Sequence, residues 1–488
     1  MPELFFLKVS AEGKEWILML ELTPILQKDS GKPLYMQLAN FIKQEIMNKH
    51  ISPNEKLPSK RKLAEHLQIS LNTVQSAYDQ LCAEGYVESI PRKGLFVLTI
   101  DEEFRNRFDT EENKEKQKVE QEKPVKIDFN SGNVDSSYFP YTTWRKLSMQ
   151  SIYEDQNFWF SNGDPQGEFN LREQIAKHLY ATRGVNCHPD HIILGAGTQM
   201  LIGLIGLLIG RDKTYALENP GYHRIRVVFQ DMGIKVLPIS VDDNGMNVSQ
   251  LNESKANIAY VTPSHQFPYG MIMPITRRLE LLKWAEKNGG YIIEDDYDGE
   301  YRYKGKPIPA LQGLDKNNRI IYLGTFSKSL IPSLRISFAV LPNSLYSTYR
   351  KHFTVYKQTV SRMHQDTLYR FIKEGHWNSH LNKMRTLYRK KRQVLLQTIQ
   401  HHLGGFVKVI GENAGLHIVL EVHTEWTETQ LIEKALIFGV KVYPLSLYYF
   451  EKRYTGNPKV ILGYGGLTDT EMEEGIGLLR SAWEIGSD

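Results

Sequence analysis

The amino-acid sequence predicts an α/β chain in three parts: a short helical head closed by a strand-like hairpin, a charged linker, and a large domain ending in a smaller α+β lobe. Two observations predict it. After Lys126, apolar strand-like runs at 192–194, 215–217, 235–239, 258–262, 291–294, 320–324 and 336–341 alternate with segments of helical periodicity such as 277–287. Strands alternating with helices imply a mostly parallel sheet covered on both faces. Before that domain, residues 101–126 hold nine acids and seven bases among few apolar side chains. Such a stretch cannot bury enough surface to fold alone and reads as a solvated linker.

Length and composition agree. A chain of 488 residues exceeds one ordinary domain, and 41% hydrophobic with 24% charged residues is the balance of a soluble protein with large cores. The net charge of +4 is small, so nucleic-acid contact must rest on a local basic patch. Only Cys82 and Cys187 are present, far apart, so neither a disulfide framework nor a metal site is expected and a reducing cytoplasm fits. The most apolar run, 200–209, is about half the ~20 residues of a membrane span and reads as a buried helix. No membrane partner and no secretory signal are expected. Met19 opens a more ordinary start, so residues 1–18 are expected to be a poorly ordered extension or an upstream start. The expected layout is therefore extension 1–18, head 19–100, linker 101–126 and large domain 127–488. The small lobe is expected from about Tyr346, opening with long helices and ending in strands at 416–421, 440–443 and 460–463.

Within the head, Pro33 starts a helix that places Leu38, Ile42 and Ile46 on one face. Ser59 can cap a second helix carrying Leu63, Ala64 and Leu67. After the turn Gln68-Ile69-Ser70, a third helix faces inward with Val74, Ala77, Tyr78 and Leu81 and outward with Asn72, Thr73 and Gln75. Gly85 ends it, and two short strands flank Arg92-Lys93-Gly94. Two helices joined by a tight turn, then a basic hairpin, form the layout of a winged helix-turn-helix, whose recognition helix enters the major groove of double-stranded DNA. The bases exceed the acids by only two over 33–98, but Lys60-Arg61-Lys62 and Arg92-Lys93 stand where phosphates would pass.

Leu57-Pro-Ser-x-Arg-x-Leu-Ala, Asn72-Thr-Val, Glu84-Gly-Tyr-Val and Lys93-Gly resemble the GntR family over about 65 residues. The resemblance implies that Arg61, Asn72, Thr73, Lys93 and Gly94 touch DNA, and Gln75 and Arg92 join them by position. Leu71 and Gln75 stand where many members carry arginine, which removes a bidentate guanine contact and changes the operator read.

In the large domain, Gly324-Thr-Phe-Ser-Lys-Ser-Leu-Ile-Pro-Ser-Leu-Arg335 follows a strand. Lys328 there can hold a carbonyl as a Schiff base while Thr325, Ser327 and Arg335 meet a phosphate. Gly195-Ala-Gly-Thr-Gln opens a helix, so its amides, Gly197 and Thr198 can cradle the same phosphate. The strand Tyr291-Ile-Ile-Glu-Asp-Asp-Tyr ends in carboxylates, of which Asp295 can keep a pyridine nitrogen protonated, and Tyr297 can bond the ring hydroxyl. Tyr222, ending Asn219-Pro-Gly-Tyr, offers a ring to stack on the pyridine. All lie at C-terminal strand ends, where open α/β sheets bind ligands.

In this order the motifs resemble fold-type I aminotransferases across roughly 127–485. Together with the head, the chain resembles the MocR/GabR subfamily of GntR regulators, of which Thr262-Pro-Ser-His-Gln-Phe-Pro-x-Gly270 and Ile293-Glu-Asp-Asp-Tyr-Asp are typical. The resemblance implies pyridoxal 5'-phosphate as cofactor, a homodimer, and a small-molecule effector: an amine, an amino acid or the cofactor itself. Phe267 replaces the asparagine of true aminotransferases, and Gly466 stands where the resemblance expects the arginine that grips a substrate carboxylate. Arg224 and His265 are the effector-contact candidates. These departures favour a DNA-binding sensor over an active aminotransferase with an appended head, and Lys328, Asp295 and Arg335 oppose a cofactor-free scaffold.

Overall fold

The computed structural model describes residues 24, 26, 31–99, 125–154, 160–303, 308–451 and 456–484. The expected extension 1–18 and residues 101–124 of the expected linker lie outside the described residues. The chain divides into two compact units, residues 1–121 and 122–488.

The first unit holds α1 (Leu34–Met47), α2 (Lys60–Leu67), α3 (Leu71–Ala83) and the hairpin β1 (Val87–Ile90) with β2 (Gly94–Val97). The apolar faces read from sequence form one core: Leu38, Ile42, Ile46, Leu63, Val74, Ala77, Tyr78 and Leu81 are fully covered, while Leu67 is partly so. Gln68 adopts a left-handed conformation at the end of α2, which lets the chain turn at once into α3. Each helix of this pair is capped: Ser59 Oγ accepts from the Lys62 amide at 3.3 Å and Ser70 Oγ from the Thr73 amide at 3.1 Å. The buried Tyr78 hydroxyl donates to the Pro58 carbonyl at 3.0 Å, fastening α3 to the segment before α2.

The second unit is built on an eight-stranded sheet in the order β4-β11-β10-β9-β8-β5-β6-β7. Its strands are β4 (Ile192–Gly195), β5 (Thr214–Asn219), β6 (Lys235–Asp242), β7 (Gly245–Met246), β8 (Ile258–Val261), β9 (Tyr291–Asp296), β10 (Ile320–Thr325) and β11 (Ser337–Val340), numbered after the two-residue strand β3 (Ile127–Asp128). The chain β10-β9-β8-β5-β6 is parallel throughout, whereas β11 runs against both its neighbours and β7 against β6. Helices α4 (Tyr141–Glu154), α5 (Phe169–Arg183), α6 (Thr198–Ile209), α7 (His223–Asp231), α8 (Val248–Glu253) and α9 (Ile275–Asn288) supply the covering layers. Strands β4, β8, β10 and β11 are buried along nearly their whole length and read as continuous apolar runs, whereas β6 is largely uncovered.

After the sheet come α10 (Asn343–His352), α11 (Arg362–Lys373) and α12 (His376–Leu403). Leu345 and Tyr349 of α10, Leu368 and Phe371 of α11, and Trp377 and Leu381 of α12 pack into the cores of the large sheet, so the lobe boundary does not fall at Tyr346. The small lobe begins within α12, at Leu395, and continues through β12 (Val407–Ile410), β13 (His417–Val422), α13 (Glu428–Ile437), β14 (Val440–Lys441), β15 (Tyr443–Pro444), β16 (Lys459–Gly463) and α14 (Asp469–Ala482). It also takes in the first residues of the unit. Strand β3 pairs in parallel with β14, and Ile127 and Phe129 are buried in the small-lobe core. Two residues carry no periodicity, so sequence gave no hint of this pairing. Among the described residues no helix is long and apolar enough to cross a membrane.

Removing the cap of α3 tests the head's construction. Ser70→Ala is expected to cost about 1 kcal/mol locally, read as roughly five-fold faster hydrogen exchange of the first-turn amides of α3 in the full chain. Unchanged exchange would show that the cap is idle.

Candidate functional site

Several strand ends meet at one edge of the sheet. Gly195 closes β4 opposite Ser337, Ser337 in turn pairs with Thr325 at the end of β10, and Leu323 pairs with Asp295 of β9. They border a cavity of about 490 Å³ whose wall includes Ser131, Thr198, Tyr222, Asp295, Lys328 and Arg335.

At one end of the cavity the chain turns from β4 into α6. Gly197 has φ +94°, and a Cβ there would lie 2.0 Å from Arg335 Nη2, so the guanidinium rests directly on the glycine. The Ala196 amide is fixed by Thr359 Oγ1 at 2.9 Å. Thr325 lines the cavity, but its Oγ1 accepts from Ser337 Oγ at 2.8 Å and from the Ser327 amide at 3.2 Å, so it shapes the loop. The free hydroxyl belongs to Ser327, whose buried Oγ has no partner. A helix N-terminus, a guanidinium and an unpaired hydroxyl facing one place make an anion cradle of the size and charge of a phosphate.

In the middle, Lys328 Nζ donates to the Ser131 carbonyl, and burial pushes its amine down to about 8. Asp295 Oδ2 accepts from the Tyr260 hydroxyl, while Oδ1 is buried without a partner. Burial pushes the Asp295 carboxyl up to about 7. A pyridinium N–H at Oδ1 would complete its pairing and hold the charge that burial opposes. The donor set thus fits pyridoxal phosphate: an amine, a phosphate cradle and an orphaned carboxylate oxygen in one cavity.

The remaining wall is aromatic. Phe267 meets Tyr222, Tyr297, Tyr448 and His417 at ring-centroid distances of 5.5, 6.0, 4.9 and 5.2 Å. It supplies surface but no donor. Tyr297 Oη lies 2.8 Å from His265 Nδ1. His265 itself is buried behind Tyr297 and is not among the residues on the cavity wall. Arg224 is exposed at the cavity rim, whereas Arg226 is committed to the Tyr449 carbonyl at 2.8 Å and the Phe450 ring. Gly466 also needs correction. It lies on an exposed turn after β16, where a Cβ would meet Asn133 at 2.7 Å, and it does not line the cavity. The β16 side chain that reaches the aromatic wall is Ile461, buried with Phe267 and Tyr448. That wall still lacks a cation, but on account of Ile461.

Sequence reasoning missed Ser131, Tyr260, Thr359 and Asp298. Asn130-Ser-Gly has no periodicity to place it, and the contact of Ser131 with Lys328 spans 197 residues.

In the head, Arg61, Asn72, Arg92, Lys93 and Gly94 are exposed, and Arg92 takes φ +65° at the tip of the three-residue hairpin turn. Thr73 is half-buried, its hydroxyl 2.8 Å from Ser70 Oγ. Gln75 is occupied: it accepts from Lys60 Nζ at 2.6 Å and donates to Asp79 at 2.6 Å. Reading a base with Gln75 would require breaking that bridge, so the free polar group of the outward face is Asn72.

Residues 124–478 match the family described as aminotransferase class I and II, and residues 34–97 match the bacterial regulatory proteins of the gntR family. The chain is 46% identical over 466 residues to YdeL of Bacillus subtilis (strain 168), an uncharacterized HTH-type transcriptional regulator, covering 96% of this chain and all of that one. It is 33% identical to the probable rhizopine catabolism regulatory protein MocR of Rhizobium meliloti, covering 94% and 95% of the two chains. The chain belongs to the MocR/GabR subfamily of GntR transcription regulators. Among solved structures, the multiple substrate aminotransferase of Thermococcus profundus matches with a TM-score of 0.67 over 79% of this chain and 96% of that one, at 22% identity, which shows a shared fold. The regulator therefore couples a GntR head, a module that binds DNA operators, to a domain of the pyridoxal-phosphate-dependent fold class.

Two measurements follow from this geometry. Capture of pyridoxal phosphate needs the neutral Lys328 amine. Because burial lowers that amine to about 8, the rate of capture by cofactor-free protein should rise through about pH 8 and level off above it. A rate still climbing through pH 10 would contradict the burial. On DNA, Arg61→Ala should weaken binding to specific and scrambled sequences alike and reduce the salt slope by about one. Asn72→Ala should instead change the preference among sites. Identical behaviour of the two variants would remove α3 from the role of reading helix.

Proposed function

We propose that this regulator holds pyridoxal phosphate on Lys328 and uses the loaded cavity to sense a small amine, an amino acid or the cofactor itself, so changing how its heads engage a double-stranded operator. The observation that carries the reading is the convergence of the Lys328 amine, the orphaned Asp295 oxygen and the Gly197–Arg335 cradle in one cavity. When bound there, pyridoxal phosphate supplies an electrophilic carbonyl and an electron-withdrawing ring. Arg335, Ser327 and the α6 amides bind the phosphate, Asp295 keeps a proton on the ring nitrogen, and Tyr222 covers the ring.

The aromatic wall supports sensing over turnover. Ile461 leaves that side without a cation, and Phe267 has no donor of its own. An amino-acid carboxylate arriving there is not gripped, and an ungripped substrate is poorly oriented for proton transfer. Arg224 at the rim is the remaining anion contact. The aminotransferase-like body supports a homodimer whose heads meet half-sites one or more helical turns of ~10 bp apart. Whatever the effector, it must bind one arrangement of the regulator more tightly than another, since equal affinity shifts nothing.

The test is a titration of DNA from upstream of the regulator's own gene, with and without pyridoxal phosphate, on the native protein and on Lys328→Ala. The native protein should change operator affinity when loaded, and Lys328→Ala should not. An equal response in both, or a response in neither, would reject the reading.

A further inference from the structure

We propose that Asp298 and His265 are positioning residues that aim the Tyr297 hydroxyl proton at the ring oxygen of the cofactor. The proposal rests on the reading above, that pyridoxal phosphate occupies the cavity. The sequence motifs offer His265 only as an effector-contact candidate, and neither they nor the comparisons assign the pair this role.

The geometry fixes the direction of each hydrogen bond. Asp298 Oδ1 and Oδ2 lie 3.1 and 2.9 Å from His265 Nδ1, and both residues are 2% exposed. A carboxylate only accepts, so the proton sits on Nδ1. The same nitrogen lies 2.8 Å from Tyr297 Oη. A nitrogen that carries a proton in the ring plane has no lone pair to accept with, so the phenol oxygen can only accept, sharing that one proton with Asp298. The phenol's own proton is then turned away from the histidine, and Tyr297 lines the cavity. The imidazole has no freedom to undo this. A Cβ on Gly415 would fall 2.1 Å from His265 Cε1 and one on Gly270 3.0 Å from Nε2, so two glycines just admit the ring. Nε2 is buried without a partner, which is the condition of a neutral ring protonated on Nδ1.

The surroundings make Tyr297 the donor on this side. Phe267 has nothing to donate. His417, whose ring lies 5.3 Å from that of His265, spends Nε2 on the Pro268 carbonyl at 3.0 Å, and burial pushes it down to about 4, so it stays neutral. The charged groups around His265 and Tyr297 are Asp298, Asp295, Asp296, Glu218 and Lys328, with Arg183 and Arg302 lining the small cavity behind His265.

A donor to the ring oxygen favours the oxyanion most when the neighbouring Schiff-base nitrogen has lost its proton, because the oxygen then carries its charge alone. Loss of the donor therefore raises the pH at which that nitrogen titrates. The visible band of the Lys328-bound cofactor reports this midpoint directly, independently of any activity.

Relay and plain electrostatics predict opposite signs. In Asp298→Asn the carboxylate that keeps the proton on Nδ1 is lost. His265 then shifts its proton to Nε2, and Nδ1 draws the Tyr297 proton away from the cofactor. The midpoint should rise by about one pH unit, as it should in Tyr297→Phe, and adding Asp298→Asn to Tyr297→Phe should raise it no further. If Asp298 acted only as a negative charge near Lys328, its removal would lower the midpoint in either background. A lowered or unmoved midpoint in Asp298→Asn, with a normal band in the native protein, overturns the relay and leaves the cofactor reading intact. Absence of the band from native protein, with no borohydride-fixed cofactor on Lys328, overturns both. Should Asp298→Asn not fold, His265→Phe replaces it: the midpoint should again rise, and an unmoved one overturns the relay.

Discussion

The site depends on a carboxylate held where water cannot reach it. Asp295 stands in the middle of a sheet covered on both faces, with one oxygen satisfied by Tyr260 and the other by nothing in the chain. A buried polar atom left unpaired costs about 1–3 kcal/mol, so such an atom marks a place built for a partner. Around it the protein spends further buried polarity. Glu218 accepts from Thr262 at 2.7 Å, Glu294 from the Leu311 and Gln312 amides at 2.7 and 2.8 Å, and Asp296 pairs with Arg183 at 2.7 Å. Glu294 has both oxygens paired, whereas Glu218 Oε1 and Asp296 Oδ1, like Asp295 Oδ1, are buried without a partner. What sets Asp295 apart is position: of these four carboxylates, which brace the ends of β5 and β9, it is the one on the wall of the cavity.

Parallel topology explains why so much of this was legible from the chain. Parallel strands end at one edge, so residues that follow apolar runs are delivered to the same place whatever their separation. Gly197, Thr198, Tyr222, Asp295, Thr325 and Lys328 could each be placed by that rule alone. The rule fails where the chain arrives by another route. Ser131 comes from the small lobe, whose core claims Ile127 and Phe129 through a two-residue strand. Asp298 and His265 lie in irregular segments, where no period says which way a side chain points. Gly466 was misplaced for the same reason: the strand that matters ends at Gly463, so the inward position is Ile461 and the glycine is on the turn beyond. In the head, periodicity put Gln75 outside, correctly, but could not show that Lys60 and Asp79 hold it there.

The small lobe does more than cover the cavity. Ser131 accepts from Lys328, Tyr448 accepts from the Gly221 amide at 3.0 Å, and Asn219 Oδ1 accepts from the Phe450 amide at 3.1 Å. Both sides of the site are thus joined to small-lobe backbone by hydrogen bonds. The contact at Lys328 is the informative one, because an amine that has become part of an imine has fewer protons to donate to the Ser131 carbonyl. On the proposed reading, loading the lysine would change a bond between lobes as well as the contents of a pocket. The occupied and empty states would then differ in their interactions at the lobe junction, as a sensor requires. A ligand that left this contact unchanged would have to distinguish the two states elsewhere.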